Sequence, residues 1–230
     1  MVLQDPMTSL NPALTIGTQV SEVVRLHQRL RGPALRERVL SALRRLRISA
    51  ADTRLGQYPH QFSGGMRQRV SSAIALSCAP RLLIADEPTT SLDVTIQAQY
   101  LELLKEVQAS AGLAVILVTH DFGIVAANAD RVAVMYAGKI VEMGTTLQIF
   151  NKPRHPYTQA LLRCLPDVEL KREKLVEIGG QPPDLAQLPP GCPFAPRCDK
   201  RREICDREYP PAVALRDGHV AHCWVAPAAA

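Results

Sequence analysis

Residues Arg81 to Pro88 read RLLIADEP, an apolar run that ends in two adjacent carboxylates. Such a run predicts a buried parallel strand whose acids lie at the carboxyl edge of the sheet, where α/β folds bind ligands. In phosphoryl-transfer enzymes an acid in this place holds magnesium, and a neighbouring acid orients or deprotonates the attacking water. Asp86 is therefore the candidate magnesium ligand and Glu87 the candidate general base. Ordinary strand-to-loop boundaries show the same pattern, so it does not decide the function alone.

A second stretch, QFSGGMRQRV, places a serine and two glycines before a helical pattern. Ser63 is a favoured N-cap residue, and Gly64 and Gly65 leave backbone amides uncovered at the helix N-terminus. The helix dipole favours an anion there, and the absent side chains allow a phosphate to approach closely. In isolation the segment is also typical of a plain glycine-rich loop before a helix. Its functional meaning therefore depends on its position relative to the other motifs of the chain.

The sequence around these stretches alternates helical and strand patterns. Apolar residues recur at helical spacing from Ile16 to about Arg47, which predicts a small helical subdomain. Runs rich in Val, Ile and Leu then predict strands separated by helical segments. The predicted strands are Arg81 to Ala85, Leu113 to Thr119, Arg131 to Tyr136 and Lys139 to Met143, with a turn at Ala137-Gly138 between the last two. This order favours an α/β fold with a mostly parallel sheet covered by helices.

Charge and hydropathy exclude some classes of function. The net charge of +5 is carried mainly by arginine, but only 4% of residues are aromatic, which argues against a nucleic-acid surface. The longest unbroken apolar run, Leu113 to Val118, is far shorter than the roughly 20 residues needed to cross a bilayer. The first residues lack the basic and apolar stretches of a secretory signal, so a cytosolic location is expected.

Five segments, in order along the chain, resemble the motifs of the ABC ATPase family. RLLIADEP resembles the Walker B strand, and the SGG of QFSGGMRQRV resembles the ABC signature. The other three are VLQDP at Val2 to Pro6, similar to the Q-loop, SLDV at Ser91 to Val94, similar to the D-loop, and VTHD at Val118 to Asp121, similar to the switch-histidine segment. The resemblance covers essentially the whole chain.

This resemblance implies an α/β fold with part of a P-loop NTPase (RecA-like) parallel sheet, an ABC helical subdomain and a small C-terminal module rich in cysteine and proline. The implied divisions are residues 1–12, the Q-loop and the end of a core strand; 13–62, the helical subdomain; 63–150, the signature helix and the C-terminal part of the ATPase core; and 151–230, a C-terminal extension.

The resemblance also assigns roles, with ATP and Mg²⁺ as cofactors. Gln4 would contact magnesium together with Asp86, and His120 would contact the γ-phosphate and Glu87. The signature residues Ser63, Gly64 and Gly65 would clamp ATP held by a partner subunit, and Asp93 would communicate across that dimer. Taken singly, Gln4 is more typical of a capped loop, His120 of a strand end and Asp93 of a helix N-cap, and it is the joint order of the motifs that favours the family roles.

Three further stretches are similar to the importer ATPases for dipeptides, oligopeptides and nickel. They are QDPMTSLNP at the Q-loop, KPRHPYTQALL from Lys152 to Leu162, and GQPPDL with LPPGCPFAPRC between Gly180 and Cys198. Met66, where ABC signatures commonly have glutamine, fits the same branch. This implies a head-to-tail dimer with a second ATPase subunit, two transmembrane permease subunits and an extracytoplasmic solute-binding protein. The chain would then lie at the cytoplasmic face of the inner membrane, while the transported solute is not determined by this sequence.

Four cysteines of the C-terminal module are spaced with five, six and seventeen intervening residues; they are Cys192, Cys198, Cys205 and Cys223. Thiolates are soft ligands that select zinc or iron–sulfur clusters. The spacing has no tight Cys-x-x-Cys pair, which argues against an ordinary zinc knuckle. The family resemblance favours a [4Fe–4S] cluster, with zinc and no metal as the alternatives.

The phosphate-binding pattern G-x-x-x-x-G-K-[ST] does not occur in residues 1–230. That loop supplies the backbone cradle and the lysine for the β- and γ-phosphates. We therefore expect an N-terminally truncated ATPase chain that is inactive by itself. Two other functions stay open: a non-hydrolysing remnant or partner-dependent module, and a soluble ABC ATPase, which the absence of a second ATPase unit or long coiled coil disfavours.

Overall fold

The computed structural model describes residues 1–5, 9–165 and 177–226, which fall into two units, residues 1–122 and 123–230. Pro6, the last residue of the Q-loop-like segment, lies outside the described residues. None of the helices in the described part of the chain combines the length and the apolar character that a membrane crossing requires.

Helices form most of the first unit before its sheet begins. Helix α1 spans Ile16–Gln28, α2 Gly32–Arg45, α3 Ala51–Arg54 and, after a single 3₁₀ turn at Pro59–Gln61, α4 Gly64–Leu76. The Thr15 hydroxyl caps α1 by accepting the backbone N–H of Thr18. Buried apolar residues of α1, α2 and α4, such as Val20, Leu43 and Val70, belong to one core, as the helical spacing predicted.

Three chain segments form a parallel arrangement in the first unit. Strand β1 (Leu82–Asp86) pairs in parallel with β2 (Ala114–Val118), and helix α5 (Val94–Ala111) connects the two strands. On the other side of β1, the Val2 amide donates to the Ile84 carbonyl at 2.8 Å, in a parallel bridge. All three segments therefore end at the same edge of the sheet.

The second unit contains a separate antiparallel sheet. Its strands are β3 (Arg131–Tyr136), β4 (Lys139–Thr145), β5 (Ala212–Ala214) and β6 (Val220–His222), in the spatial order β3–β4–β6–β5. Its helices are α6 (Phe122–Asn128), which begins at the unit boundary, α7 (Thr146–Asn151), α8 (Pro156–Arg163) and α9 (Ile204–Arg207). The turn between β3 and β4 has positive φ at both Ala137 and Gly138, as a two-residue hairpin turn of type I′ requires.

The predicted α/β fold is confirmed, with two differences. Strands β3 and β4 form the predicted hairpin but belong to a separate antiparallel sheet, and the short strands β5 and β6 were not predicted. Three-residue strands carry too little alternation to be recognised in a sequence. They form because β6 pairs with β4, a partner some 80 residues earlier, through Glu142 opposite Ala221.

Candidate active site

Glu87 lies directly after β1, and three side chains hold its carboxylate. Gln4 donates from Nε2 to Oε2 at 2.9 Å, and the Thr90 hydroxyl donates to the same oxygen at 3.0 Å. His120 places Nδ1 3.0 Å from Oε1. Gln4 follows the bridge at Val2, and His120 follows β2, so the common edge of the parallel segments brings together residues that are 83 and 33 positions from Glu87.

The backbone of Glu87 adopts a conformation that residues other than glycine rarely take. Its φ is +40°, in the left-handed region, and its amide donates to the Val118 carbonyl at 2.9 Å. Non-glycine residues in this region are uncommon and cluster at functional sites, where the surrounding structure holds them. Here the bond to β2 and the contacts of the carboxylate hold the residue in place.

The contacts of Glu87 favour its ionised form. The hydrogen bond with His120, followed by those from Thr90 and Gln4, lowers the pKa of the Glu87 carboxyl, and these effects outweigh the opposing effect of burial. The carboxylate is therefore charged at neutral pH and keeps 22% of its side-chain surface exposed. It is placed to accept a proton from, or to orient, a water molecule at the sheet edge.

The signature-like segment and the D-loop-like segment are in direct contact. Ser63 caps α4, its hydroxyl accepting the Met66 amide at 3.4 Å. A β-carbon on Gly65 would lie 2.7 Å from Cγ2 of Ile96, and one on Gly64 would lie 3.9 Å from the Ser91 carbonyl oxygen. Glycine is therefore needed at position 65 because residues 91–96 pack against the start of α4.

Two other predicted site residues have local surroundings that bear on their roles. Asp86 is the half-buried last residue of β1, at the same edge as Glu87. Asp93 is the N-cap of α5, where Oδ1 accepts the Ile96 amide at 3.0 Å. This capping is the local role that its sequence context also allowed, and its role across a dimer stays a prediction.

Thr90 was not predicted as a site residue, although it contacts the central carboxylate. It lies three residues after Glu87 in the loop between the Walker B-like strand and the D-loop-like segment. A hydroxyl at this spacing after an acid is common in loops, so the sequence offers no specific signal. Only the turn after β1, in which the Thr90 amide bonds to the Glu87 carbonyl, directs the hydroxyl to the carboxylate.

The four predicted cysteine ligands line one pocket of the second unit. The pocket is partly open to solvent, and it is also lined by His155 and Phe194. Interactions with nearby backbone amides act against a rise in the pKa of three of the thiols, those of Cys192, Cys198 and Cys223. Burial raises the pKa of these three thiols, which favours their neutral form in the absence of a bound cation.

The placement of these cysteines does not by itself support the predicted iron–sulfur ligation. Among residues 1–5, 9–165 and 177–226, no three or more His, Cys, Asp or Glu side chains are grouped closely enough to hold a metal ion. All four cysteines are free thiols. The sequence therefore identified residues that come together in one pocket, while the metal itself stays a prediction.

Comparison with known proteins relates both units to ABC transporters. Residues 1–90 match the family model described as ABC transporter, and residues 141–205 match the model described as oligopeptide/dipeptide transporter, C-terminal region. Among solved structures, cbiO1 from Clostridium perfringens, part of the ABC transporter complex cbiONQ, has a TM-score of 0.58 at 32% identity, over 66% of this chain and 58% of that one. The ATP-binding cassette MJ0796, bound to ADP and Pi, has a TM-score of 0.54 at 26% identity, over 63% of this chain and 62% of that one.

Relatives with known names are similar over nearly the whole chain. The dipeptide transport ATP-binding protein DppD of Bacillus subtilis is 55% identical over 98% of this chain and 67% of its own length. The oligopeptide transport ATP-binding protein OppD of Haemophilus influenzae is 48% identical over 98% of this chain and 69% of its own length. This chain thus spans about two thirds of each relative. On this similarity, the chain belongs to the family of ATP-binding subunits of oligopeptide and dipeptide ABC transporters.

Proposed function

We propose that this chain is the ATP-hydrolysing part of a subunit that drives the import of dipeptides, oligopeptides or related small solutes. The observation that carries the proposal is the Glu87 carboxylate, held ionised by Gln4, Thr90 and His120 at the edge where parallel segments end. An ionised carboxylate so held is suited to orient and deprotonate the water that attacks the γ-phosphate.

The other residues of this edge would serve the nucleotide. Asp86 and the amide oxygen of Gln4 are of the ligand type that Mg²⁺ prefers, and both residues are at the sheet edge next to Glu87. When bound, Mg²⁺ would neutralise charge on the β- and γ-phosphates. His120 has 73% of its side chain exposed, so its ring is accessible to the γ-phosphate while Nδ1 contacts Glu87.

The start of α4 is suited to a nucleotide held by another subunit. Helix α4 has 13 residues, and Ser63, Gly64 and Gly65 leave its first amides accessible to an anion. In a head-to-tail dimer this terminus would close on the ATP of the partner subunit, and Asp93, which lies in the segment packed against it, would report that closure. The assembly would include two permease subunits and a solute-binding protein, with this chain at the cytoplasmic face of the inner membrane.

The proposal is tested by Glu87→Gln in an upstream-extended subunit that also contains a phosphate-binding loop, in the assembled transporter reconstituted in vesicles. We expect ATP turnover and peptide uptake to fall by orders of magnitude while ATP binding is retained, because the base is removed and the phosphate contacts are not. Glu102→Gln, at an exposed position of α5, is the matched control and should leave turnover unchanged. Equal loss of binding and turnover would contradict the role of Glu87, and unchanged uptake would favour the non-hydrolysing module.

For the second unit we propose that Cys192, Cys198, Cys205 and Cys223 together hold one iron–sulfur cluster that serves structure. Support comes from the common pocket that the four cysteines line. Four thiolates on a single zinc ion lie about 4 Å apart, since each Zn–S bond is about 2.3 Å. A cluster with an iron at each corner spaces its ligands more widely than a single zinc ion does.

When bound, the cluster would supply a covalent cross-link to a segment rich in proline and poor in large apolar residues. Anaerobic purification followed by iron, sulfide and zinc analysis tests this. We expect stoichiometric iron and sulfide, their loss in Cys198→Ser, and their retention in Cys78→Ser, a cysteine of the first unit. Stoichiometric zinc without iron, or iron unchanged in Cys198→Ser, would contradict the cluster.

A further inference from the structure

His155 connects the His-Pro-Tyr segment to the cysteine pocket. It is the N-cap of α8, and its Nδ1 accepts the backbone N–H of Tyr157 at 3.0 Å. A ring nitrogen that accepts a hydrogen bond cannot carry a proton, so in the neutral ring the proton resides on Nε2. The capping interaction therefore selects the tautomer in which Nε2–H is a donor.

The orientation of this ring is held by a buried carboxylate. Glu142, on β4, is 0% exposed and accepts the backbone N–H groups of Arg154 at 2.7 Å and His155 at 2.9 Å. Its Oε1 also lies 2.7 Å from Nε2 of the buried His219. The backbone at His155 is thus held by two sets of hydrogen bonds. The amides of Arg154 and His155 bind Glu142, and the amide of Tyr157, at the start of α8, binds the ring.

His155 is 1% exposed and is one of the residues that line the same pocket as the four cysteines. It also lies against Phe194, two residues after Cys192, with 6.1 Å between ring centroids. Within residues 1–5, 9–165 and 177–226, its hydrogen bonds are those of the backbone and of Nδ1, and none involves Nε2.

We propose that His155 donates a hydrogen bond from Nε2–H to a sulfur of the group held in the cysteine pocket, so that the His-Pro-Tyr segment is part of this binding site. The inference rests on the proposed cluster site and adds a residue that is not a ligand. Four thiolates concentrate negative charge in a buried space, and a neutral, fixed N–H donor stabilises that charge. Hydrogen bonds to the sulfurs favour the more negative, reduced form of a cluster and so raise its reduction potential.

Two substitutions separate this role from helix capping. The side-chain amide of Asn reaches about as far as Nδ1, so His155→Asn keeps an N-cap acceptor for Tyr157 and lacks the donor at Nε2. The amide of Gln reaches about as far as Nε2, so His155→Gln keeps a donor towards the pocket and loses the cap. A purely structural role predicts that His155→Asn resembles wild type more closely in all three measurements below. Our proposal predicts that His155→Gln is closer to wild type in the midpoint potential of the cluster.

The experiment measures iron content, melting temperature and cluster midpoint potential of the anaerobically purified chain and both variants. We expect a lower potential in His155→Asn than in wild type and a potential near wild type in His155→Gln, whatever the order of their melting temperatures. Equal potentials in wild type and His155→Asn would overturn the proposal.

A separate measurement distinguishes failure of this inference from failure of the cluster. If the wild-type chain purifies without iron, the proposed cluster is wrong, and ¹⁵N–¹H correlation spectra of the imidazole rings still test His155. A slowly exchanging Nε2–H in the wild-type chain, with its shift altered by Cys192→Ser or Cys223→Ser, supports the hydrogen bond to sulfur. A ring protonated on Nδ1, or an Nε2–H that is insensitive to both cysteine substitutions, overturns it.

Discussion

At the scale of single residues, the site depends on how Glu87 is held. Its neighbours Gln4 and His120 come from other segments, and each contacts one oxygen of the carboxylate. The left-handed backbone of Glu87 places the side chain between them, in a conformation that an isolated loop would rarely adopt. The ionisation state of the carboxylate is therefore a property of the assembled edge and not of the loop alone.

We expect His120→Ala to raise the pKa of Glu87, because the hydrogen bond with His120 is the largest cause of its lowering. A carboxyl group whose folded pKa lies below the unfolded value stabilises the fold above the unfolded pKa, and this contribution is lost as the pH falls through the folded pKa. Wild type should thus lose more stability than His120→Ala between neutral pH and the acid range below 4.5.

Carbon-detected NMR titration of the Glu87 carboxyl gives the pKa directly, and thermal melts across the same pH range give the stability. The exposed His27→Ala in α1 is the matched control and should change neither. An unchanged Glu87 midpoint in His120→Ala would contradict the role of this contact.

At the scale of elements, helices α4 and α5 are joined at two places along their length. Near their starts, Gly65 approaches Ile96 so closely that a β-carbon would overlap its side chain. Further along, the buried hydroxyls of Ser72 and Tyr100 are 2.7 Å apart. The two contacts keep the signature-like terminus of α4 in register with the D-loop-like segment that precedes α5.

We expect Gly65→Ala to destabilise the first unit by about 1–3 kcal/mol, because the added methyl group must displace Ile96 in a packed contact. Ile96→Ala removes the overlapping Cγ2, so the double variant should be more stable than the sum of the two single effects predicts. Gly56→Ala, where a β-carbon meets nothing within 4 Å, is the control. Additive effects in urea denaturation would show that the contact is not the cause.

At the scale of the whole molecule, the chain consists of two units with different sheets and different relatives. The ABC transporter model matches within the first unit, and the C-terminal model of the peptide transporters matches within the second. The first unit carries the Glu87 edge and the signature-like terminus, whereas the second carries the cysteine pocket. The nucleotide chemistry and the cysteine chemistry are therefore open to separate experiments.

We expect the purified 230-residue chain to bind ATP weakly or not at all, and not to hydrolyse it alone. Residues 1–230 contain no G-x-x-x-x-G-K-[ST], so the backbone cradle and lysine that neutralise the triphosphate are not supplied. Isothermal titration with Mg²⁺–ATP and a phosphate-release assay measure both properties. Turnover by wild type that disappears in Glu87→Gln would show that the expectation is wrong.

The sequence by itself determined the α/β class, the family and most residues of the candidate site. Asp86 and Glu87 were recognised because an apolar run ending in acids has a defined place in a parallel sheet. Ser63 and the two glycines after it were recognised because helix caps depend on residues close in sequence. Patterns of this kind depend on residues close together in the sequence. The order of the five motifs along the chain identified the family and the other residues of the candidate site.

The tertiary structure alone decided which residues meet. The contact of Thr90 with Glu87, the strands β5 and β6, and the position of His155 beside four cysteines have no signature in sequence. Each depends on a turn geometry or on pairing between distant segments, such as Glu142 opposite Ala221. Such contacts depend on the packing of the whole unit. A short strand is stable only when it pairs with its distant partner strand, and a hydroxyl makes its contact only when the surrounding turn directs it.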